Sequence, residues 1–228
     1  MREFTVEQSS MNCRWTFDRM LPSLPGPGTH AFAELVKGLH PHGLLPSGVT
    51  VDSSSSRMSD VILGILLLDN RVGIRITPSF LEMFVNELFE DDKSVLENIA
   101  GLIFTALIEI DPESEQGKIQ VRLSSHLNLD KSEDVAFLQD MLNVPKGKLS
   151  LIPDAAAYKV NLPQSTMSKD LRVVIAKSLA YEDAIFLDVA ANYTGPVNIT
   201  HLSEWISSDF DKALAEIGLR PKEAMERN

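Results

Sequence analysis

FTVEQSS, residues 4–10, recurs as IQVRLSS at residues 119–125. Both stretches alternate polar and apolar residues, which is typical of a β-strand with one buried face. Each also ends in a pair of serines, Ser9–Ser10 in the first and Ser124–Ser125 in the second. A strand that returns roughly 115 residues later indicates that one structural unit was used twice in this chain.

Four further pairs of stretches recur in the same order, with offsets that drift as small insertions would make them drift. The alternative is that two α+β modules share generic strand and turn chemistry. The pairs are AFAELVKGLHPHG (31–43) with AFLQDMLNVPKG (136–147), LLPSG (44–48) with LIPDA (151–155), VDSSSSRMS (51–59) with VNLPQSTMS (160–168), and ITPSFLEMFVNEL (76–88) with ITHLSEWISSDF (199–210).

Each half is predicted to contain a strand, a helix, three strands and a final helix. Hairpins are expected across Asp69–Asn70 and across Tyr181–Asp183. Helices are expected over residues 31–39, 79–89, 92–110, 133–142 and 202–217, and the long helix at 92–110 is expected to have no counterpart in the second half. This order predicts an α+β fold made of two tandem copies, with antiparallel sheet and with helices packed on one face.

The two repeats are predicted to span residues 1–112 and 113–228, as two units or fused into one pseudo-symmetric domain. The polar, turn-like stretch DPESEQG (111–117) joins them. The short connection indicates that the halves pack closely together.

At the level of fold, this order resembles the duplicated TATA-binding-protein-like and helix-grip architectures, in which a curved antiparallel sheet grips helices. The acidic composition argues against the DNA-binding saddle of the former. LSEWISSDF (202–210) is similar to the L-H-x-x-I-x-x-x-F helix of a sporadically distributed, uncharacterised bacterial family. Leu202, Ile206 and Phe210 fit that pattern, whereas Ser203 stands where the family has histidine. This similarity implies no chemistry.

The charge of the chain is unevenly distributed. The 228 residues carry a net charge of −11. Residues 1–116 hold 8 basic and 17 acidic residues, a balance of −9, and residues 117–228 hold 13 and 15, a balance of −2. Such a surface repels phosphate backbones, so nucleic-acid binding is not expected. The single cysteine excludes an internal disulfide, and no apolar leader or membrane span is evident, so a cytoplasmic protein is predicted.

Candidate catalytic serines and metal ligands are found but poorly supported. The serine run 53–56 lacks the G-x-S-x-G turn of a nucleophilic serine. The aligned positions in the second half are Leu-Pro-Gln, so a structural role at the end of a strand and in a turn is favoured. Val51 and Met58 are expected to be more buried than these serines, with Val160 and Met167 in related settings. His30, His40 and His42 offer imidazoles, but the matching slot of the second half has no ligands.

Acidic residues and the lone thiol give equally weak signals. Residues 90–92, Glu-Asp-Asp, are expected to be a surface run that caps a helix. Asp188 interrupts an apolar strand, where burial would make it a candidate acid or base, although facing solvent is the simpler interpretation. Cys13 lacks a basic environment beyond Arg14. No catalytic, cofactor-binding or metal-binding residue and no cofactor is therefore predicted.

Two classes of function fit this chain. The first is a non-enzymatic protein-interaction or assembly component, whose acidic first half holds another protein with a basic surface through edge strands or the loop 21–29. Self-association is also open, and no membrane partner is expected. The alternative is a small-molecule or lipid-binding helix-grip protein. Its pocket would be lined by aromatic residues, namely Phe80, Phe84, Phe104, Trp205 and Phe210.

Overall fold

A computed structural model describes residues 2–21, 30–52, 61–112, 117–128, 155–160, 168–181, 184–194 and 199–221. It contains ten strands and three α-helices within these ranges. In chain order they are β1 (Arg2–Phe17), α1 (His30–Leu39), β2 (Val49–Asp52), β3 (Ile62–Leu67), β4 (Val72–Ile76), β5 (Phe80–Val85), α2 (Lys93–Ile110), β6 (Gly117–Asn128), β7 (Ala155–Val160), β8 (Ser168–Lys177), β9 (Ala184–Thr194), α3 (Ile199–Glu216) and β10 (Leu219–Pro221).

Nine strands form one antiparallel sheet in the order β2-β3-β4-β5-β1-β6-β9-β8-β7. β1 and β6 lie next to each other at its centre, so the sheet continues across the boundary between the two predicted repeats. The short β10 runs parallel to the beginning of β1, where Arg220 forms an ion pair with Glu3. The predicted α+β class with antiparallel sheet is confirmed.

One face of the sheet is apolar and packs against α2. Trp15 pairs with Leu81 of β5 and Ile119 of β6, and all three are buried. The buried stripe of α2 repeats every three or four residues, which is the period of a helix with one face on the core; it comprises Leu96, Ile99, Ile103, Ala106 and Leu107. The Phe104 ring stacks on the indole of Trp15 with a centroid distance of 5.1 Å.

The other two helices flank α2 on the same side of the sheet. Gly38 of α1 lies against the Leu102 side chain of α2, so that these helices approach closely. α3 contacts α2 and β8, and its buried Asp209 accepts a 3.3 Å hydrogen bond from the Tyr193 hydroxyl of β9. Burial and the Asp209 charge raise the pKa of Tyr193 well above its usual value. α3 ends at Glu216, and Gly218 in the turn that follows has a φ of 77°, a left-handed conformation that glycine adopts readily after a helix.

The serine pairs that first pointed to a duplication face each other in the sheet. Ser9 pairs with Ser125 and Ser10 with Ser124, and the Ser9 and Ser125 hydroxyls are 2.7 Å apart and buried. A two-fold axis between β1 and β6 would carry each pair onto the other. The register agrees with the duplication, which stays a prediction.

The helix predicted over residues 79–89 is wrong, because this segment contains β5. Its residues alternate between partly buried and buried positions, which is the period of a strand. The first half therefore has four strands after α1 rather than three. The proposed match of 76–88 with 199–210 also fails, because 76–88 contains the strand β5 whereas 199–210 belongs to the helix α3.

The hairpin predicted across Asp69–Asn70 joins β3 and β4. Leu68, Asp69 and Asn70 all have positive φ, between 50° and 69°, and the Arg71 N–H donates to the Leu68 carbonyl at 3.1 Å. Asp and Asn tolerate this left-handed conformation better than most residues, which explains why they mark the turn. β8 and β9 form the second expected hairpin.

Several predictions concern segments outside the described residues. These are the serine run 53–56 with Met58, the helix over 133–142, Met167, and most of the loop 21–29 and of the connection 111–117. Val51 itself lies on the edge strand β2 and is 47% exposed.

Candidate functional site

A groove of about 880 Å³ runs between α1 and α2 on the outer side of the helix layer. On α2 its lining extends from Glu97 to Glu109, a span of about 18 Å at 1.5 Å per helical residue. On the α1 side it extends from Glu34 to His42. The groove is therefore long enough for about three turns of a partner helix.

The floor of the groove is apolar and has a gap in its middle. Leu35 and Gly38 of α1 meet Leu102 and Ala106 of α2 there. A Cβ atom added at Gly101 would have no neighbour within 4 Å. The absence of a side chain at this position leaves space that another side chain can fill.

Replacing Gly101 with alanine is expected to stabilise the protein by about 0.5–1 kcal/mol, because alanine loses less backbone entropy in a helix and meets no neighbour here. Chemical denaturation of the two proteins measures the difference. A destabilised variant would show that the space beside Gly101 is filled.

The rim of the groove is acidic. Glu34, Glu97 and Glu109 stand along it with one cation, Lys37, which lies 3.5 Å from Glu34. These four residues have a net charge of −2. A cationic partner would therefore be attracted to the rim while its apolar side chains reached the floor.

The opposite face of the sheet is polar, and no described helix lies against it. Here the side chains alternate with those of the core, so Asn12 and Arg14 of β1 project away from Cys13 and Trp15. Glu82 accepts hydrogen bonds from Asn12 at 3.1 Å and from Arg75 at 3.4 Å. Side chains of neighbouring strands thus bond to one another across this face.

Asp188 belongs to this polar face. Its Oδ1 accepts a 2.6 Å hydrogen bond from Nε of Arg122 and a 2.7 Å bond from the Ser124 hydroxyl. The contact with Asp188 raises the pKa of Arg122 above its usual value. The carboxyl group is buried, as a catalytic role would require, but its Oδ1 atom is held by two structural partners.

A hydroxyl and an imidazole meet near one end of the same face. Ser178 Oγ lies 2.9 Å from His126 Nδ1 and accepts hydrogen bonds from the N–H groups of Ala180 and Tyr181. Since Ser178 is buried and its oxygen accepts from two amides, the pair stabilises the turn after β8. Sequence spacing did not reveal this contact, which joins residues 52 positions apart.

The other candidates from the sequence do not come together where the structure describes them. His42 lies at the end of the groove, and within the described part of the chain no three His, Cys, Asp or Glu residues form a metal-binding group. Asp92 is buried rather than on the surface as predicted, and bonds to Arg71 and to the Phe89 N–H. Burial raises the pKa of the Cys13 thiol to about 12, so it stays protonated.

Of the aromatic residues proposed to line a ligand pocket, Phe80, Phe84 and Phe104 lie on two different faces of the sheet. Phe80 is beneath the Arg14 guanidinium on the polar face, and Phe84 covers Gly73 there, whereas Phe104 packs in the core. The cavity between α2 and the sheet, beside Cys13 and Trp15, has a volume of about 50 Å³. Pockets for drug-sized ligands are about 300–1,000 Å³, so this cavity is too small for a lipid.

The chain matches no protein-family model, and no curated protein is found to match it. The fold-level and C-terminal resemblances therefore stay predictions. None of the described helices has the length and apolar character that a bilayer span requires.

Proposed function

We propose that this protein is a non-enzymatic interaction or assembly component that binds a basic amphipathic segment of a partner protein in the α1–α2 groove. The observation that carries the proposal is the combination of an apolar floor, open at Gly101, with a rim of three glutamates. Amphipathic helices bind grooves of this kind through apolar anchors at helical spacing. We place this activity in the cytoplasm, because the single cysteine fits a reducing compartment.

The charge of the first half supports a cationic partner. Its balance of −9 attracts basic segments from a distance, and the glutamates on the groove rim then orient them. Steering of this kind weakens with ionic strength. The alternative function, small-molecule or lipid binding in a helix-grip cavity, is less well supported because the cavity found between α2 and the sheet has a volume of only about 50 Å³.

The groove is tested by selecting displayed helical peptides of about 14 residues against the full chain. We expect the enriched peptides to carry Lys and Arg on both flanks of an apolar stripe. Gly101→Trp should weaken their binding at least tenfold because the indole fills the gap, while Gly101→Ala should leave it unchanged. Fluorescence anisotropy measures the affinity of each variant for the peptides. Measurements at two salt concentrations test whether the attraction weakens with ionic strength.

Each of the other outcomes contradicts the proposal. Enriched peptides without basic residues, equal binding to the Gly101→Trp variant, or a selection that enriches nothing would show that the groove does not bind such a segment. Thermal unfolding of the tryptophan variant confirms that it is folded before its binding is compared.

A further inference from the structure

Two arginines flank an alanine on the polar face of the sheet. Arg122 of β6 pairs with Ala190 of β9, and Ala190 pairs in turn with Arg172 of β8. Directly paired residues point to the same face, so both arginine side chains project on either side of a methyl group. Their Cα atoms are two strand spacings apart, about 9–10 Å. The small central residue leaves a depression between two cations.

Each arginine forms an ion pair with a carboxylate through its Nε. Nε of Arg122 lies 2.6 Å from Asp188, and Nε of Arg172 lies 3.6 Å from Asp170. Among the described residues, no hydrogen bond involves the terminal nitrogens of either guanidinium group. These ends carry the paired donors that bind oxyanions in a fork.

The two arginines are more exposed to solvent than the two carboxylates beside them. The Arg122 and Arg172 side chains are 58% and 68% exposed, whereas those of Asp188 and Asp170 are 7% and 26% exposed. An approaching ligand meets the cations first, although the four charges sum to zero. The hydrogen bond to Asp188 holds the Arg122 guanidinium in place, so less side-chain entropy is lost when this arginine binds a ligand.

We propose that Arg122 and Arg172 bind the phosphate of a phosphorylated side chain on a partner protein, with the phosphate above Ala190. Two forks supply donors to several oxygens and two positive charges, which match a phosphate dianion better than a carboxylate. The flat, open face suits a protein segment rather than a small free metabolite, which requires a concave pocket. The net charge of −11 opposes a nucleic acid.

The test uses the full chain and a library of nine-residue peptides with phosphoserine fixed at the centre. We expect the best peptide to bind at least tenfold more tightly than inorganic phosphate and than the same peptide with serine or glutamate at the centre. Binding should strengthen between pH 5 and pH 7, because the phosphate becomes a dianion with a pKa of about 6.

Three variants locate the site. Ala190→Leu fills the depression and keeps both arginines, and Arg172→Met removes a cation from an exposed ion pair; each should weaken binding at least tenfold. Arg122→Lys keeps the charge but loses the paired donors of the guanidinium group, and should also weaken phosphopeptide binding. Gly101→Trp, on the far side of the sheet, is the matched control and should bind the phosphopeptide normally, which separates this proposal from the groove.

Several results would overturn the inference. If Ala190→Leu and Arg172→Met bind the phosphopeptide as tightly as the wild type, the phosphate binds elsewhere. If the protein does not prefer phosphoserine to serine or glutamate, a phosphorylated side chain is not its ligand. Tighter, arginine-dependent binding of a single-stranded DNA oligonucleotide would replace the phosphoprotein with a nucleic acid.

Discussion

Gly117→Ala is expected to destabilise the protein by about 3 kcal/mol and to lower its melting temperature by about 6–12 °C. A Cβ atom at this position would lie 2.4 Å from the Thr16 carbonyl oxygen and 2.7 Å from Nε1 of Trp15. The first contact is with the backbone of the central strand, so it cannot be relieved by a rotamer change alone. β1 and β6 would have to separate where Phe17 pairs with Gly117.

The matched control for this prediction is Gly101→Ala, the same substitution where the added atom meets nothing. Differential scanning calorimetry of both variants should give shifts of opposite sign. If Gly117→Ala has the same melting temperature as the wild type, the close approach of the two central strands at this end of the sheet is refuted.

Arg71→Met is expected to destabilise the protein by about 2–3 kcal/mol at neutral pH, because it leaves the buried Asp92 without a charged partner. Arg71 binds both carboxylate oxygens, at 2.8 and 3.1 Å, and also donates to the Glu87 carbonyl at 3.0 Å. These bonds join the β3–β4 turn to the chain that enters α2. Urea denaturation measures the loss, and Arg75→Met, at a more exposed ion pair on β4, is the control.

The contribution of this ion pair depends on pH. The hydrogen bond from Arg71 lowers the pKa of Asp92 below its ordinary 3.8 in the folded protein. Stability from the pair is therefore fully present above that ordinary value and is lost as the pH falls through the lowered one. The difference between wild type and Arg71→Met should shrink below about pH 4. A difference that stays constant down to pH 2 would exclude Asp92 as the titrating group.

The sequence predicted those elements whose signals are local. Asp69 and Asn70 mark a turn because few residues adopt left-handed backbone, and the apolar stripe of residues 92–110 gives a helix through spacing alone. β5 was missed because FLEMFV is almost wholly apolar. In so short an apolar run, the helical period of 3.6 residues and the strand period of two fit almost equally well. Pairing with β1 and β4 decides in favour of a strand.

The groove and the pair of arginines could not be predicted in the same way. Arg122 and Asp188 are 66 positions apart and meet only because β6 pairs with β9 in one register, which single-residue patterns do not encode. The groove depends on how closely α1 approaches α2 at Gly38 and Leu102. The local signal for the missing side chain in the groove is Gly101, a glycine within a helical pattern.

The central position of β1 has a consequence for synthesis of the chain. This strand is made before its partners, since one of its edges is completed by β6, which begins at Gly117. Among the described residues, its start at Arg2–Phe4 is paired by β10 near residue 220. A nascent chain that has emerged only as far as α2 presents β1 as an open, hydrogen-bonding edge to its neighbours on the polysome. Residues 1–112 expressed alone would carry the same exposed edge and should associate with themselves, so the solubility of this segment depends on the second half of the chain.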